Sequence, residues 1–213
     1  MKLFHSPASP FVRKVTVTAI ELGLASRIEP LPAAASPVRP DLAVAAHNPS
    51  GRVPTLLTDD GMALYDSAVI CEYLDALDGR QRVFPAPGPL RWRALQAQAL
   101  GDGLLEAALL ARYEGTLRPE SCRWPAWTEG QLRKVSASLD AVAAHVADAD
   151  DAFNIGHITI ACAMGYLDFR FPALAWREGR AEAAAWFEAV QQRPSMVATR
   201  AADGGARQAP PGR

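Results

Sequence analysis

The sequence predicts an α/β domain of strands and helices, followed by an all-helical domain. Strand and turn patterns are confined to the first part of the chain, and alanine, the strongest helix former, rises from 13 copies in residues 1–89 to 28 in residues 90–213. Between the two parts, residues 84–89 contain three prolines. Proline fixes φ and cannot continue a helix. We therefore predict a first domain over 1–83, a linker over 84–89, a helical domain over 90–200 and a disordered tail over 201–213.

The first domain is predicted to begin with a short strand, Lys2-Leu3-Phe4, followed by a helix. Ser9-Pro10 has the residues of a helix start, because serine caps the first N–H groups and proline fits the first helical position. One apolar helical face follows, and Gly23 ends the helix. That face consists of Phe11, Val15, Ala19 and Leu22, with Arg13 and Lys14 off it.

A weak second strand is expected over residues 27–31, where Pro30 counts against it. Two apolar runs, 55–57 and 62–65, flank Asp59-Asp60-Gly61 and predict a hairpin. After Asp66-Ser67, apolar residues between 69 and 77 form another helical face. The order of strand, helix, strand, hairpin and helix predicts a small thioredoxin-like α/β sandwich.

The helical domain is predicted to contain four helices, over 90–117 (with a bend near Gly101-Asp102-Gly103), 125–146, 154–166 and 180–192. We predict an α+β thioredoxin-like domain followed by an all-α bundle.

Composition excludes several classes of protein. The 213 residues are 49% hydrophobic and 21% charged, with a net charge of −1. This balance favours a folded chain with no general attraction to nucleic acid or anionic membranes. No apolar run approaches the roughly 18 residues that span a bilayer, and the start lacks a signal-peptide core. Three scattered cysteines predict neither a disulfide framework nor a metal site. We expect a cytoplasmic protein.

Three motifs in order resemble bacterial cytosolic glutathione S-transferases. They are the segment Ser6 to Val15, the loop Asn48-Pro49-Ser50-Gly51-Arg52-Val53-Pro54-Thr55-Leu56, and the segment Asp66 to Leu74. Gly165 to Arg170 and Arg193-Pro194-Ser195 are also similar to the family. The resemblance implies a two-domain glutathione transferase that acts on glutathione and a small electrophile, without a metal, and forms a homodimer.

The resemblance also implies roles for individual residues. Ser67, at a helix N-terminus that favours anions, would bind the γ-glutamyl carboxylate, with Asp66 beside it or facing the glutamyl ammonium. Arg52 would face the glycyl carboxylate. The Val53-Pro54 step resembles the family's cis-proline and would pair with the cysteinyl backbone. Asp102 is the candidate for an aspartate that reaches the glutamyl amine across a dimer in some relatives.

Ser9 is the predicted catalytic residue. A cysteine thiol has a pKa of about 8.5, so only a few per cent is thiolate at pH 7. A donating hydroxyl and the helix N-terminus would both favour the thiolate. Relatives that form mixed disulfides carry cysteine here, so serine favours conjugation, while peroxide reduction by glutathione itself stays open. Phe11, Tyr113 and Trp124 are candidates for the wall of the second-substrate pocket, with core packing as the alternative role of such aromatics.

Simpler interpretations exist for each of these residues. Ser9 could be only a helix cap, Asp66-Ser67 only a turn and cap, and Arg52 only a surface charge. His5 suggests a serine hydrolase, but the sequence has no Gly-x-Ser-x-Gly elbow. At the level of function, the alternatives are a non-catalytic binding or regulatory relative, or another glutathione-dependent enzyme such as an isomerase, dehalogenase or peroxidase.

One motif departs from the family pattern. Before the buried helix, the family has Ser or Thr and then Asp three residues later, whereas this chain has Asn154 and His157. Histidine cannot act as the carboxylate of a capping box. His157→Asp is therefore expected to stabilise the fold by about 0.5–2 kcal/mol. Asp148, Asp150 or Asp151 could compensate by pairing with His157.

Overall fold

The structure, a computed structural model, describes residues 1–34, 36–146 and 153–203. Its first part is a four-stranded mixed sheet with the order β2-β1-β3-β4. The strands are β1 (Lys2–His5), β2 (Glu29–Pro32), β3 (Thr55–Leu57) and β4 (Ala63–Leu64). The helices of this part are α1 (Pro10–Glu21), α2 (Leu42–Ala45) and α3 (Ser67–Asp78). The predicted thioredoxin-like order and the hairpin are confirmed; the short helix α2 was not predicted.

The strand register brings three loops to one edge of the sheet. β1 runs parallel to β2 and antiparallel to β3, where Phe4 faces Thr55. β3 runs antiparallel to β4, where Leu56 faces Leu64. The end of β1, the start of β3 and the end of β4 therefore lie at the same edge. The loops after β1, before β3 and after β4 are the three that carry the motif residues.

The second part consists of helices α4 (Pro89–Thr116), α5 (Pro125–Val146), α6 (Ile155–Arg170), α7 (Ala181–Val190) and α8 (Pro194–Ala198). The four predicted helices are confirmed, although α6 extends beyond its predicted end to Arg170, and α8 was not predicted. Within the described ranges, none of these helices combines the length and apolar character that a bilayer crossing needs. The domain boundary at residues 84–89 stays a prediction, and residues 204–213 of the predicted tail lie outside the described ranges.

α4 and α6 pack side by side in the same direction, and glycines permit the contact. A Cβ on Gly101 of α4 would lie 2.8 Å from Thr159 Cγ2 and 3.0 Å from the Ile160 nitrogen. A Cβ on Gly156 of α6 would lie 2.5 Å from Ala97 Cβ. α4 is uninterrupted from residue 89 to residue 116. The glycine at position 101 thus serves close packing, where the sequence suggested a bend.

α1 is buried on two sides. Val15, Ala19 and Leu22 are buried as predicted, whereas Phe11 is only partly buried. Lys14 and Arg13, predicted to lie off the apolar face, are buried as well. Lys14 reaches Asp102 on α4, and Arg13 donates to the Met196 carbonyl at 3.1 Å. The helical part of the chain covers the polar side of α1, which the periodicity of one helix could not reveal.

Candidate active site

Ser9 caps α1 at the sheet edge formed by the three loops. Its Oγ accepts a hydrogen bond from the Val12 N–H at 3.3 Å, and the residue is partly exposed. Within the described ranges the hydroxyl proton has no acceptor. The cap interpretation is therefore confirmed, and the catalytic role of Ser9 stays a prediction. A hydroxyl that accepts from the helix retains a proton to donate to a ligand atom at the positive end of α1.

The N-terminus of α3 offers backbone donors. Asp66 is its N-cap and accepts from the Ala68 N–H at 3.0 Å, while its backbone oxygen accepts from the Ile70 N–H. The N–H groups of Ser67 and Val69 have no acceptor in the part of the chain that the structure describes. Ser67 is buried, and its hydroxyl is not hydrogen bonded there either. Unpaired donors at a helix N-terminus are suited to an anion.

The loop before β3 is held from within by Asn48. This buried side chain donates to the Arg52 carbonyl at 3.2 Å and to Thr55 Oγ1 at 2.9 Å, and accepts from Ser50. The sequence motif contains Asn48, but its role in holding this loop was not predicted. Asparagine before a Pro-Ser-Gly turn is the signal that could have revealed it.

Two groups of that loop are available to a ligand. The Val53–Pro54 peptide bond is cis, as the sequence motif suggested. The backbone N–H and C=O of Val53 make no hydrogen bonds within the described residues, so an extended peptide can pair with them. The side chain of Arg52 is exposed and has no partner there. An exposed guanidinium beside an open backbone pair is suited to a peptide that ends in a carboxylate.

Asp102 adds a second carboxylate near Asp66. Burial raises the pKa of Asp102, the ammonium of Lys14 opposes that rise, and the charge of Asp66 adds to it. Both oxygens of Asp102 accept from Lys14 Nζ, at 2.7 and 2.9 Å. The structure thus engages Asp102 within its own chain.

The three aromatic candidates for the pocket wall come from different elements: Phe11 from α1, Tyr113 from the end of α4, and Trp124 from the segment before α5, where its N–H donates to Glu114 Oε1 at 2.8 Å. The ring of Phe11 lies 5.8 Å from Lys14 Nζ, near Asp102. Tyr113 is eleven residues further along α4, or about 16 Å at 1.5 Å per residue. Trp124 is 64% exposed and stacks on Trp127 at 6.5 Å. Phe11 lies in the helix that Ser9 caps, whereas Trp124 is a surface residue.

The buried cysteines are not candidates for a reactive site. Cys71 and Cys162 are buried, and burial raises their thiol pKa to about 12 and about 11, which makes them poor nucleophiles. Within the ranges described, no three His, Cys, Asp or Glu side chains are grouped to hold a metal ion.

The expected stabilisation by His157→Asp stays a prediction, and the structure shows surroundings of residue 157 that the motif did not reveal. His157 is 6% exposed, and its ring lies between those of Phe153 and Trp186, at 6.3 and 5.9 Å. Asn154 is the expected cap and accepts from the N–H groups of Gly156 and His157. A side chain at 157 is therefore buried among aromatic rings as well as placed at the third position of the helix. Asp148, Asp150 and Asp151 lie outside the described residues.

The fold and this edge define a class of protein: a thioredoxin-like domain with unpaired polar groups at one edge of its sheet, joined to a helical domain. Comparisons then identify the family. Residues 8–77 match the glutathione S-transferase N-terminal domain, and residues 125–189 match the glutathione S-transferase C-terminal domain. The chain belongs to the glutathione S-transferase family.

Similar proteins are found in several bacteria. The uncharacterized GST-like protein YibF of Escherichia coli K12 is 34% identical over 203 residues, which cover 93% of this chain and 98% of YibF. A glutathione transferase family member of Pseudomonas fluorescens Pf-5, crystallised with bound glutathione, is 44% identical with a TM-score of 0.92, covering 94% of this chain and 98% of that one. A glutathione S-transferase of Methylobacillus flagellatus, also with glutathione bound, is 33% identical with a TM-score of 0.84, covering 94% and 99%.

Proposed function

We propose that this protein is a glutathione transferase that activates the glutathione thiol with Ser9 and transfers it to a small, partly apolar electrophile. The observation that carries this proposal is the Ser9 hydroxyl, whose proton is uncommitted at the N-terminus of α1. It lies at the sheet edge that also carries the open Val53 backbone and the unpaired donors of α3. The relatives with bound glutathione support the same ligand.

Each polar group of glutathione has a partner at this edge in the proposal. The γ-glutamyl carboxylate binds the N–H groups and hydroxyl at Ser67, and the glutamyl ammonium faces Asp66 and Asp102. The cysteinyl backbone pairs with Val53 beside Pro54. The glycyl carboxylate binds Arg52. This arrangement directs the thiol toward Ser9.

The chemistry follows from the position of the thiol. Donation from the Ser9 hydroxyl and the helix dipole stabilises the thiolate over the thiol. A pKa lowered by about 2 units corresponds to about 2.7 kcal/mol and makes most of the bound thiol ionised at neutral pH. The thiolate then forms a C–S bond with the electrophilic carbon, and the electron pair of the bond that breaks leaves with the displaced group. Serine cannot form a mixed disulfide, which favours conjugation over thiol exchange.

The test compares Ser9→Ala and Ser9→Gly with the wild type, with Ser6→Ala as the matched control. Glycine keeps most of the preference for the cap position while removing the hydroxyl, so it separates capping from catalysis. We expect both Ser9 variants to bind glutathione by calorimetry, to raise the thiol pKa measured by thiolate absorbance, and to lose about 10- to 100-fold in kcat/KM toward 1-chloro-2,4-dinitrobenzene. Unchanged thiol pKa in both would overturn the role of Ser9.

Two alternatives use the same site. A non-catalytic relative is disfavoured because Ser9, Arg52, Asp66 and Ser67 are all present. An isomerase, dehalogenase or peroxidase would share the glutathione site, so a panel of substrates distinguishes these from conjugation. The Pseudomonas relative was also crystallised with S-(propanoic acid)-glutathione, at 42% identity and a TM-score of 0.87. That S-substituted ligand favours a transferase among the alternatives.

We also propose a homodimer. Met62, Val69 and Trp92 are apolar and exposed around β4, α3 and the start of α4. A second copy would cover these side chains. Sedimentation equilibrium measures the mass directly, and a monomer at micromolar concentration would contradict the proposal.

A further inference from the structure

Arg112, near the end of α4, carries a charge that the fold does not neutralise. Its side chain is partly buried. Across residues 1–34, 36–146 and 153–203, its guanidinium has neither a hydrogen-bond acceptor nor an ion-pair partner. The nearby Arg118, by contrast, is paired with Glu114 at 2.8 Å. A partly buried, unpaired guanidinium is costly to the fold and is suited to an anionic ligand.

Tyr166 on α6 adds a second unused polar group. The residue is 3% exposed, and its hydroxyl makes no hydrogen bond within the described ranges. Within the described residues, the side-chain atoms that are fully enclosed and lack a hydrogen-bond partner belong to Gln98 and Gln131. The Tyr166 hydroxyl also lacks a partner but is not among these enclosed atoms. It is therefore accessible. Burial raises the pKa of Tyr166 to about 12, against the charges of Arg112 and Arg170. The phenol therefore stays protonated and able to donate at neutral pH.

The packing of α4 against α6 places Arg112 of α4 at the same height along the helix pair as the end of α6, which carries Tyr166 and Arg170. Gly101 lies against Thr159, and the two helices run in the same direction. Eleven residues further along each helix are Arg112 and Arg170. Arg170 is already paired with Asp203 at 2.6 Å and compensates the C-terminus of α6. The uncompensated positive charge of the cluster therefore belongs to Arg112.

The same cluster adjoins the helix that Ser9 caps. Arg13, one turn into α1 from Ser9, approaches Gly165, where an added Cβ would lie 2.3 Å from Arg13 Nη1. Gly165 directly precedes Tyr166. On α4, the residues Asp102, Glu106, Leu109 and Tyr113 follow one another at spacings of three or four, so they share one helical face, and Asp102 shows that this face meets α1. In the proposed glutathione site, a group attached to the sulfur would extend along this face from Ser9 toward Tyr113.

We propose that Arg112, Tyr113 and Tyr166 form a carboxylate-binding end of the second-substrate pocket, which selects electrophiles that carry a carboxylate. The proposal rests on the proposed function and assigns its substrate class. The guanidinium supplies the charge and two parallel donors, and the phenols supply further donors. An uncharged apolar substrate would leave these groups unpaired, which is what makes such a site selective.

The test measures binding and does not depend on turnover. Calorimetry compares glutathione, S-propylglutathione and S-(2-carboxyethyl)glutathione on the wild type, Arg112→Gln and Tyr166→Phe. Arg133→Gln, on the exposed face of α5, removes the same charge elsewhere and is the matched control. We expect the wild type and the control to bind the carboxyethyl conjugate about tenfold more tightly than the propyl conjugate. Arg112→Gln should lose this preference and Tyr166→Phe should reduce it, while glutathione affinity stays unchanged in both.

Equal affinity of the wild type for the two conjugates would overturn the carboxylate site and leave the glutathione site standing. An equal loss of preference in Arg133→Gln would also overturn it, because the effect would then be one of net charge. Failure of the wild type to bind glutathione would overturn the proposed function, and the substrate class with it.

Discussion

The ammonium of Lys14 contacts both carboxylate oxygens of Asp102, at 2.7 and 2.9 Å, and joins α1 to α4. The Lys14 side chain is fully buried and that of Asp102 is 24% exposed. The ion pair is therefore desolvated at one end and open at the other. Lys14 holds the carboxylate in place, and the exposed side of the carboxylate remains available near Asp66.

Breaking this pair should be costly because it leaves a buried charge alone. We expect Asp102→Ala to lower the free energy of unfolding by about 3–5 kcal/mol. The double variant Lys14→Met with Asp102→Ala should be more stable than Asp102→Ala, since methionine fills the space without a charge. Urea denaturation measures both. Asp140→Ala, which breaks the more exposed pair with Arg180, is the control and should cost at most about 1 kcal/mol. Equal costs in the two single variants would contradict this account.

Arg52 should recognise only the glycyl end of glutathione. Arg52→Ala is expected to weaken glutathione binding about tenfold, since a charge-assisted hydrogen bond contributes about 1.5 kcal/mol or more. Binding of γ-glutamylcysteine, which lacks the glycyl carboxylate, should not change. Arg39→Ala, another exposed arginine, serves as the control in the same calorimetric titration. Equal weakening for both peptides would show that Arg52 supports the loop and not the carboxylate.

Glu21 should make stability depend on pH in the acid range. Burial raises the pKa of Glu21, but hydrogen bonds from Arg193 and Ser195 outweigh it and hold the pKa below its ordinary value of 4.5. A lowered folded-state pKa stabilises the protein above the unfolded pKa, and this contribution is lost as pH falls through the folded value. The stability gap between the wild type and Glu21→Gln should therefore be constant near neutral pH and narrow below about pH 4.5. Denaturant titrations at several pH values measure it, and a gap that does not change with pH would contradict the assignment.

His157→Asp should destabilise the protein, in reversal of the expectation from the capping motif. The ring is buried between Phe153 and Trp186, and a carboxylate there loses that packing and its hydration. We expect a loss of about 1–3 kcal/mol in unfolding free energy. His157→Phe, which keeps an aromatic ring, should cost less than the aspartate. Stabilisation by aspartate would restore the capping-box interpretation.

Two glycines two residues apart in α4 should respond oppositely to alanine. At Gly101 an added methyl meets the backbone of α6, whereas at Gly103 nothing described lies within 4 Å. Gly101→Ala should destabilise by about 1–3 kcal/mol. Gly103→Ala should stabilise by about 0.5–1 kcal/mol, because alanine is the better helix former. Thermal unfolding of the pair checks this prediction, and stabilisation by both substitutions would show that α6 can shift away.

Local signals in the sequence predicted most of the elements, although not the short helices α2 and α8, and the loops that carry the motif residues. Ser9-Pro10 and Asp59-Asp60-Gly61 specify a cap and a hairpin by their own chemistry, whatever surrounds them. The burial of Lys14 depends on α4, almost ninety residues away, and no periodicity within α1 reports it. The surroundings of His157 were not predicted for the same reason, because Trp186 comes from another helix. The proximity of Arg112 and Tyr166 likewise depends on the register of α4 against α6, which no local pattern reports.

The two-sided burial of α1 limits how modular this protein is. Three side chains of α1 make polar contacts with the helical part of the chain, in α4 and in the segment 193–199. They are Arg13, Lys14 and Glu21. A chimera that joins residues 1–88 to the helical domain of a relative would leave these three side chains without their polar partners, unless the partner residues were introduced as well. The first domain can therefore be exchanged only together with the residues that contact it. Whether a recombinant of two family members folds should depend more on these few interface residues than on the overall sequence identity of the two parents.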